Sequence, residues 1–286
     1  MTIIITGASS GIGKSLAILC GAHNHNVVIV ARRTDRLQQI AQEISGKGGN
    51  VFVVSADVSK EEDCKRVVSE TVKKFGSVDV LVNNAGQGHL GSIEETSTET
   101  FNQMMLVNLY STFWLTREVL PFMREENRGH IIAISSIVGR IAYPFNAAYV
   151  AAKHAVVGFI AALRTELTGT NINATVICPA GVTTEWSSAT ADGNLGEIFS
   201  TGIKYSRAIA AEKNLPLAPL SKMKTPAQAA EIVYNVLMGN RSNDVYTHDG
   251  IIDIAEQAVK DRIAMEDQHE SLYLGMIKAY AEGVGR

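Results

Sequence analysis

A chain of 286 residues with a net charge of −3 and no basic block has little to offer a polyanion, which excludes nucleic acid as a natural partner. Its 46% hydrophobic and 19% charged residues suit a globular chain with a sizeable core, built as one large α/β domain or two small ones. No continuous apolar run reaches the ~18 residues of a membrane span, and the N-terminus lacks the basic region of a signal peptide. Cys20, Cys64 and Cys178 are few, odd in number and far apart, as expected of a reduced, cytoplasmic protein that uses them as small core hydrophobes.

Residues 2–6 (TIIIT) read as a first strand and 13–23 as a helix. Strand 26–31 and helix 35–45 follow, then strand 51–56 and helix 61–75, then strand 78–83 and a long helix within 98–126. Strand 130–135, helix 149–168 and strand 173–178 complete the series. The strands are apolar at nearly every position, which suits parallel strands covered on both faces. Strand–helix alternation of this kind predicts a Rossmann-like, doubly wound α/β sheet with helices on both faces.

After Pro179 the pattern breaks. Residues 183–224 mix Gly, Ser, Ala and Pro with isolated large side chains such as Trp186, Ile203, Tyr205 and Met223. A connection this long is usually functional or helically structured, often a lid. A helix resumes over 225–239, with Thr225 as N-cap and Pro226 in the first helical position. Residues 244–248 read as a last strand, and 251–267 and 270–284 as two terminal helices. With no linker or tandem repeat, residues 1–286 are expected to form a single dinucleotide-binding domain. It carries a substrate loop at about 183–224 and a C-terminal helical extension at about 250–286.

The glycine loop TGASSGIGKS, Thr6 to Ser15, follows the first strand and opens the first helix. Gly7, Gly11 and Gly13 would let the backbone turn tightly and approach a pyrophosphate at the helix N-terminus. Two other readings stand beside this one. Only Ala8 in place of glycine separates ASSGIGKS from a P-loop, in which Lys14 reaches phosphates and Ser15 a magnesium ion. That reading needs an acidic partner at another strand end, where Asp57 is available but the fourth strand ends in VNNAG. The third reading is a tight turn without a ligand. Strand two discriminates between cofactors. Ala31 stands where an NAD-type fold places a ribose-binding carboxylate, and Arg32 and Arg33 follow. Two guanidiniums can clamp an extra phosphate; the alternative is a solvated charge pair at a helix start.

Tyr149 and Lys153 are one helical turn apart, so their side chains share a face. Chance would explain the pair alone. An ammonium beside a phenol also lowers its pKa toward the range where it can move protons. Four pieces then fall on one architecture: TGxxxGxG at 6–13, NNAG at 83–86, Ser136 in ISS, and Tyr149-x-x-x-Lys153. With Asn108 in LVNLYS they resemble the short-chain dehydrogenase/reductase (SDR) family, in its branch of short single-domain members, over residues 2 to about 184.

The resemblance implies roles. Tyr149 would be the general acid in reduction and the base in oxidation, Lys153 its helper and a ribose ligand, and Ser136 the residue that orients the carbonyl. Asn108 would hold a water linking Lys153 to solvent; its other reading is a helix-interior amide bonding backbone. The cofactor, implied to be NADP(H), would meet Gly7, Ser9, Ser10, Gly11, Ile12 and Gly13 in the loop, and Arg32 and Arg33 beyond strand two. Asp57 and Val58 would meet its adenine, with Asn84, Ala85 and Gly86 beside it. Tyr149, Lys153, Pro179, Gly181, Val182 and Thr184 would surround the nicotinamide end. The chain departs from the family at Pro179–Ala180, where Pro-Gly is common. His89, Tyr143, Phe145, Trp186 and Ile203, with Tyr205 as an outlying candidate, are expected to form a mainly apolar substrate pocket. No histidine has metal-ligand spacing, and no metal is expected. The expected activity is NADP(H)-dependent interconversion of a small-molecule carbonyl and alcohol, in a homodimer or homotetramer. A P-loop nucleotide hydrolase and a non-catalytic dinucleotide sensor are the rivals; a sensor predicts a damaged Ser–Tyr–Lys set, and this set is whole.

Overall fold

The computed structural model describes residues 1–188, 190–239 and 242–286. Strands β1 (Thr2–Thr6), β2 (Asn26–Ala31), β3 (Asn50–Ser55), β4 (Val80–Asn83), β5 (Gly129–Ile134), β6 (Ile172–Cys178) and β7 (Asp244–Tyr246) form one parallel sheet in the order β3-β2-β1-β4-β5-β6-β7. The order reverses between β1 and β4, so the connections that leave the strand ends there splay apart and open a crevice.

Alternating side chains on the strands meet two different helix layers. Ile3 and Ile5 pack with α1 (Gly11–Ala22), α2 (Thr34–Gly46) and α8 (Pro226–Met238), through Leu16, Leu37, Ile44 and Val233. Ile4 faces the other way, toward α3 (Glu61–Phe75), α5 (Ser111–Glu125) and α6 (Ala147–Glu166), and shares its core with Val67, Leu115 and Ile160. This two-sided burial is why the strands carry so few polar residues. Cys20, Cys64 and Cys178 are free and buried in these layers. Helix α6 is long and apolar enough, by length and composition, to cross a membrane, but it is the helix that lies against β6 and carries Lys153.

Two elements differ from their sequence reading, and the long connection takes the helical form expected for it. The long helix expected within 98–126 is α4 (Thr98–Met105), a π-helical turn over Leu106–Tyr110, and α5. Ser111 N–H reaches back five residues to the Leu106 carbonyl, and the widened turn carries Asn108. The 183–224 connection contains a 19-residue helix, α7 (Leu195–Lys213). Asn194 caps its start by accepting from Glu197 N–H, and left-handed Asn214 ends it. The terminal helices divide at Asp261, not near residue 268, into α9 (Ile251–Lys260) and α10 (Arg262–Ala281). Asp261 is extended, and its carboxylate accepts from Ala264 N–H, so a local cap overrides a nearly continuous helical pattern. The Thr225 cap forms as expected, in a reciprocal capping box with Gln228.

Helices α7 and α10 cross in close contact, because Gly275 lies against the backbone at Gly202 and a Cβ there would collide with the Gly202 carbonyl. The C-terminal residues then fold back onto the molecule. Tyr280 stacks on Phe145 (3.9 Å, 6°), Arg286 pairs with Glu95 at 3.3 Å, and the Gly285 carbonyl accepts from Asn194 N–H at 2.7 Å.

Candidate active site

A cleft of about 1060 Å³ opens along the C-terminal ends of the strands. The turn after β1 forms its floor, with Gly7, Ser9, Ser10, Gly11 and Ile12 lining it. Thr6 joins this turn to the one after β4: its hydroxyl accepts from Asn84 and Ala85 N–H, each at 3.0 Å, and its carbonyl accepts from Asn84 Nδ2 at 2.8 Å. Gly13 sits beneath, where a Cβ would lie 2.5 Å from Asn84 Nδ2 and 2.7 Å from the Gly7 carbonyl. Only a glycine permits that packing, which leaves the start of α1 open to the cleft with no acidic residue in its first turn.

One end of the cleft is basic. Arg33 donates to Ser9 Oγ from Nε at 3.1 Å and from Nη2 at 2.8 Å, and to Ser10 Oγ at 2.9 Å. Arg32 is exposed beside it and makes no ion pair among the described residues. Ala31 presents no carboxylate. Asp57 and Val58 line the same end; Asp57 Oδ1 accepts from Ser59 N–H at 3.1 Å and from its hydroxyl at 2.8 Å. Asp57 thus closes its own turn. Lys14 borders a smaller recess of about 290 Å³ beside α2.

Ser136, Tyr149 and Lys153 meet at the other end. Ser136 caps a short 3₁₀ turn, its Oγ accepting from Val138 N–H at 3.3 Å, and hydrogen-bonds to Tyr149. Tyr149 is 6% exposed and Lys153 4%. Lys153 Nζ donates to the Ile134 carbonyl at 2.9 Å and lies 5.6 Å from the centre of the Tyr149 ring. Burial pushes the Tyr149 phenol well above its ordinary pKa, with the Ser136 bond acting the other way. Burial pushes the Lys153 ammonium down to about 8.

Asn108 lies behind this cluster. Its Nδ2 donates to the Gln87 and Met104 carbonyls at 3.0 and 2.9 Å, and its Oδ1 accepts from Gln87 N–H at 3.3 Å. A Cβ on Gly86 would lie 2.9 Å from Asn108 Oδ1 and 3.3 Å from Lys153 Nζ, so both side chains converge on that glycine.

Pro179, Gly181, Val182 and Thr184 line the cleft above, despite Ala180. A residue that sequence reasoning missed holds them: His248, buried just beyond β7, has Nε2 2.9 Å from the Gly181 carbonyl. Arg36 is a second such residue. It joins α2 to Glu185, across the mouth, at 2.7 Å, with Arg33 at 3.6 Å from the same oxygen. No motif announces either contact.

Of the expected pocket residues, Tyr143, Trp186 and Ile203 line the cleft. His89, Phe145 and Tyr205 do not. His89 is buried beneath the strand-like contact it makes with Ala191, its Nε2 3.2 Å from Thr96 Oγ1, and burial lowers its pKa. Phe145 is taken by its stack on Tyr280, and the Tyr205 hydroxyl donates to Glu282. Phe199, Ile254 and Met276 take their places from helices that the sequence could not position.

The comparisons agree with this architecture. Residues 1–194 match the short chain dehydrogenase family model. The chain is 33% identical over 259 residues to the mouse (Mus musculus) dehydrogenase/reductase SDR family member 7B, covering 88% of this chain and 75% of that one. It is 44% identical over 182 residues to the 11-beta-hydroxysteroid dehydrogenase of Pinus massoniana, covering 63% of this chain and about half (51%) of that relative. A solved alcohol dehydrogenase from the archaeon Thermococcus sibiricus, complexed with 5-hydroxy-NADP, superposes with a TM-score of 0.71 at 26% identity, over 87% of this chain and 97% of that one. The chain belongs to the SDR family, whose members use NAD(P), and is an oxidoreductase of the dehydrogenase/reductase kind.

Proposed function

We propose that this chain is an NADP(H)-dependent carbonyl reductase or alcohol dehydrogenase that uses Tyr149 as its general acid and base. One observation carries the reading: Ser136, Tyr149 and Lys153 meet at one end of a cleft whose other end holds Arg33 fixed by the glycine-loop serines. The cleft fits a dinucleotide on its own geometry. Gly7 and Gly11 leave the backbone of its floor bare for a pyrophosphate, and it faces the N-terminus of α1. Gly7, Gly11 and Ile12 would hold the phosphates, Asp57 and Val58 the adenine, and Gly86, Lys153, Val182 and Thr184 the nicotinamide riboside. Arg32 and Arg33 would take a ribose 2′-phosphate where Ala31 offers no acceptor for a 2′-hydroxyl. The alcohol dehydrogenase with 5-hydroxy-NADP supports the same choice.

The bound nicotinamide supplies or accepts hydride. The protein handles the oxygen. Ser136 and Tyr149 donate hydrogen bonds to a carbonyl oxygen, orienting and polarising it. Burial keeps Tyr149 protonated until it is used, so in reduction it gives its proton to that oxygen and in oxidation it takes the proton back. Lys153 places a positive charge beside the phenol and stabilises the phenolate that the transfer leaves. Asn108, turned toward Gly86 by the π-helical turn, is suited to order a water between Lys153 and solvent.

The test is turnover of a carbonyl and alcohol panel with each nicotinamide cofactor, alongside Tyr149→Phe. The variant should lose at least ~10²-fold in kcat, because the acid is deleted while the ring still packs. NADPH binding, followed by its fluorescence shift, should change little. Near-wild-type turnover in the purified variant rejects the role of Tyr149.

A further inference from the structure

The substrate side of the cleft is mainly apolar, with Asn194, Glu197 and Ser200 among the residues that line it from the start of α7. Tyr143, Trp186, Phe199, Ile203, Ile254 and Met276 form its wall. Four of these lie beyond residue 194, where the match to the family model ends, so the wall is largely the work of this chain's own C-terminal third. Asn146 interrupts it. Asn146 also lines the cleft, is 2% exposed, and its Oδ1 has no hydrogen-bond partner.

The position makes this unusual. An asparagine directly before a helix ordinarily accepts from a backbone N–H of the first turn. Asn146 directly precedes α6, yet its side chain makes no capping bond. The fold therefore forgoes a cap and leaves a buried acceptor orphaned, two costs with no return inside the free protein. A group that is costly to the fold and borders a cleft has its return in what the cleft binds. Asn146 stands three residues before Tyr149, at the N-cap of the same helix, and both residues line the cleft.

We propose that Asn146 is a substrate-recognition residue, and that the substrate is a mainly apolar hydroxy ketone whose hydroxyl lies a few bonds from its carbonyl. The inference rests on the reading in which Tyr149 and Ser136 receive the carbonyl oxygen. The hydroxyl donates to Asn146 Oδ1, and the apolar body lies against Phe199, Ile203, Ile254 and Met276. A ketone without the hydroxyl forgoes that bond and leaves Oδ1 orphaned as it is in the free protein, so the hydroxy ketone is favoured by the bond it gains.

Matched pairs of ketones test this, such as 4-phenylbutan-2-one against 4-hydroxy-4-phenylbutan-2-one and larger aryl homologues. The readout is the ratio of kcat/KM, hydroxy ketone over parent. In the wild type it should be about tenfold or more. In Asn146→Leu, which keeps the branching at Cγ and removes both polar atoms, the ratio should collapse toward one. Asn146→Ser should recover part of it. A wild-type ratio at or below one overturns the proposal without any variant, so it stays open to refutation even if Asn146→Leu does not fold. A ratio unchanged in a folded Asn146→Leu, judged by cofactor binding, overturns it too. Either result, with turnover intact, leaves the role of Tyr149 standing. Absence of turnover for every ketone and alcohol with either cofactor removes both readings together.

Discussion

Burial moves Lys153 and Tyr149 in opposite directions, and the difference predicts a pH profile. Lys153 titrates at about 8, so near neutrality its ammonium is charged and favours departure of the Tyr149 proton. As pH rises through about 8 the charge is lost, the phenolate loses its stabilising neighbour, and kcat/KM for reduction should fall. Lys153→Arg keeps a charge throughout this range. Whatever activity it retains should lack the alkaline fall, and a fall that persists in the variant assigns the titration to another group. The basic end of the cleft makes a separate prediction. The unmodified enzyme should have the higher kcat/KM with NADPH, and Ala31→Asp with Arg32→Gln should move preference toward NADH. The new carboxylate accepts ribose hydroxyls and repels a 2′-phosphate. A wild type that prefers NADH removes the assignment of Arg32 and Arg33.

At the scale of elements, the C-terminal third builds most of the substrate wall. The break at Asp261 lets α9 border the cleft while α10 turns away to cross α7 at Gly202 and Gly275. Loss of the Asp261 cap in Asp261→Ala should destabilise the protein by about 1 kcal/mol. In a chain of this size that is a fall of roughly 2 °C in Tm. Because α9 contributes Ile254 to the cleft and no residue of the Ser–Tyr–Lys cluster, KM should rise more than kcat falls. A thermal melt with steady-state kinetics checks both parts, and an unchanged KM would detach α9 from substrate binding.

For the molecule as a whole, the main question is what covers the outer face of α4, α5 and α6. Phe101, Tyr110 and Phe113 stand exposed there, and Ala151, Ala155, Gly158 and Ala162 run along α6 at helical spacing. The terminal helices do not cover this face, since α10 packs on α7 and α9 borders the cleft. Small residues let a second helix approach closely, and a self-complementary apolar face is what a two-fold interface requires. The expected state is a homodimer or homotetramer. Sedimentation equilibrium at micromolar protein should show it, and Gly158→Arg should dissociate it. A single wild-type species at the 30.8 kDa monomer mass rules it out.

The amino-acid sequence determined most features whose signal is local, the Asp261 cap and the π-helical turn being exceptions. The strands β1 to β6 were legible because burial on both faces leaves them apolar, and the Thr225 cap because its partners are three residues apart. The glycine loop was legible from its place between a strand and a helix, the Tyr149–Lys153 pair from one helix turn, and Ser136 through the resemblance to the SDR family. Tertiary structure alone decided where side chains point and what meets across the fold. His89 and Phe145 read as pocket residues, yet packing against Ala191 and Tyr280, 102 and 135 residues further along the chain, took them out of the cleft. Phe199 and Met276 entered it because α7 and α10 cross at two glycines, 73 residues apart, that carry no motif. Periodicity reports that a helix has a buried face; only the crossing of two helices decides what that face is buried against.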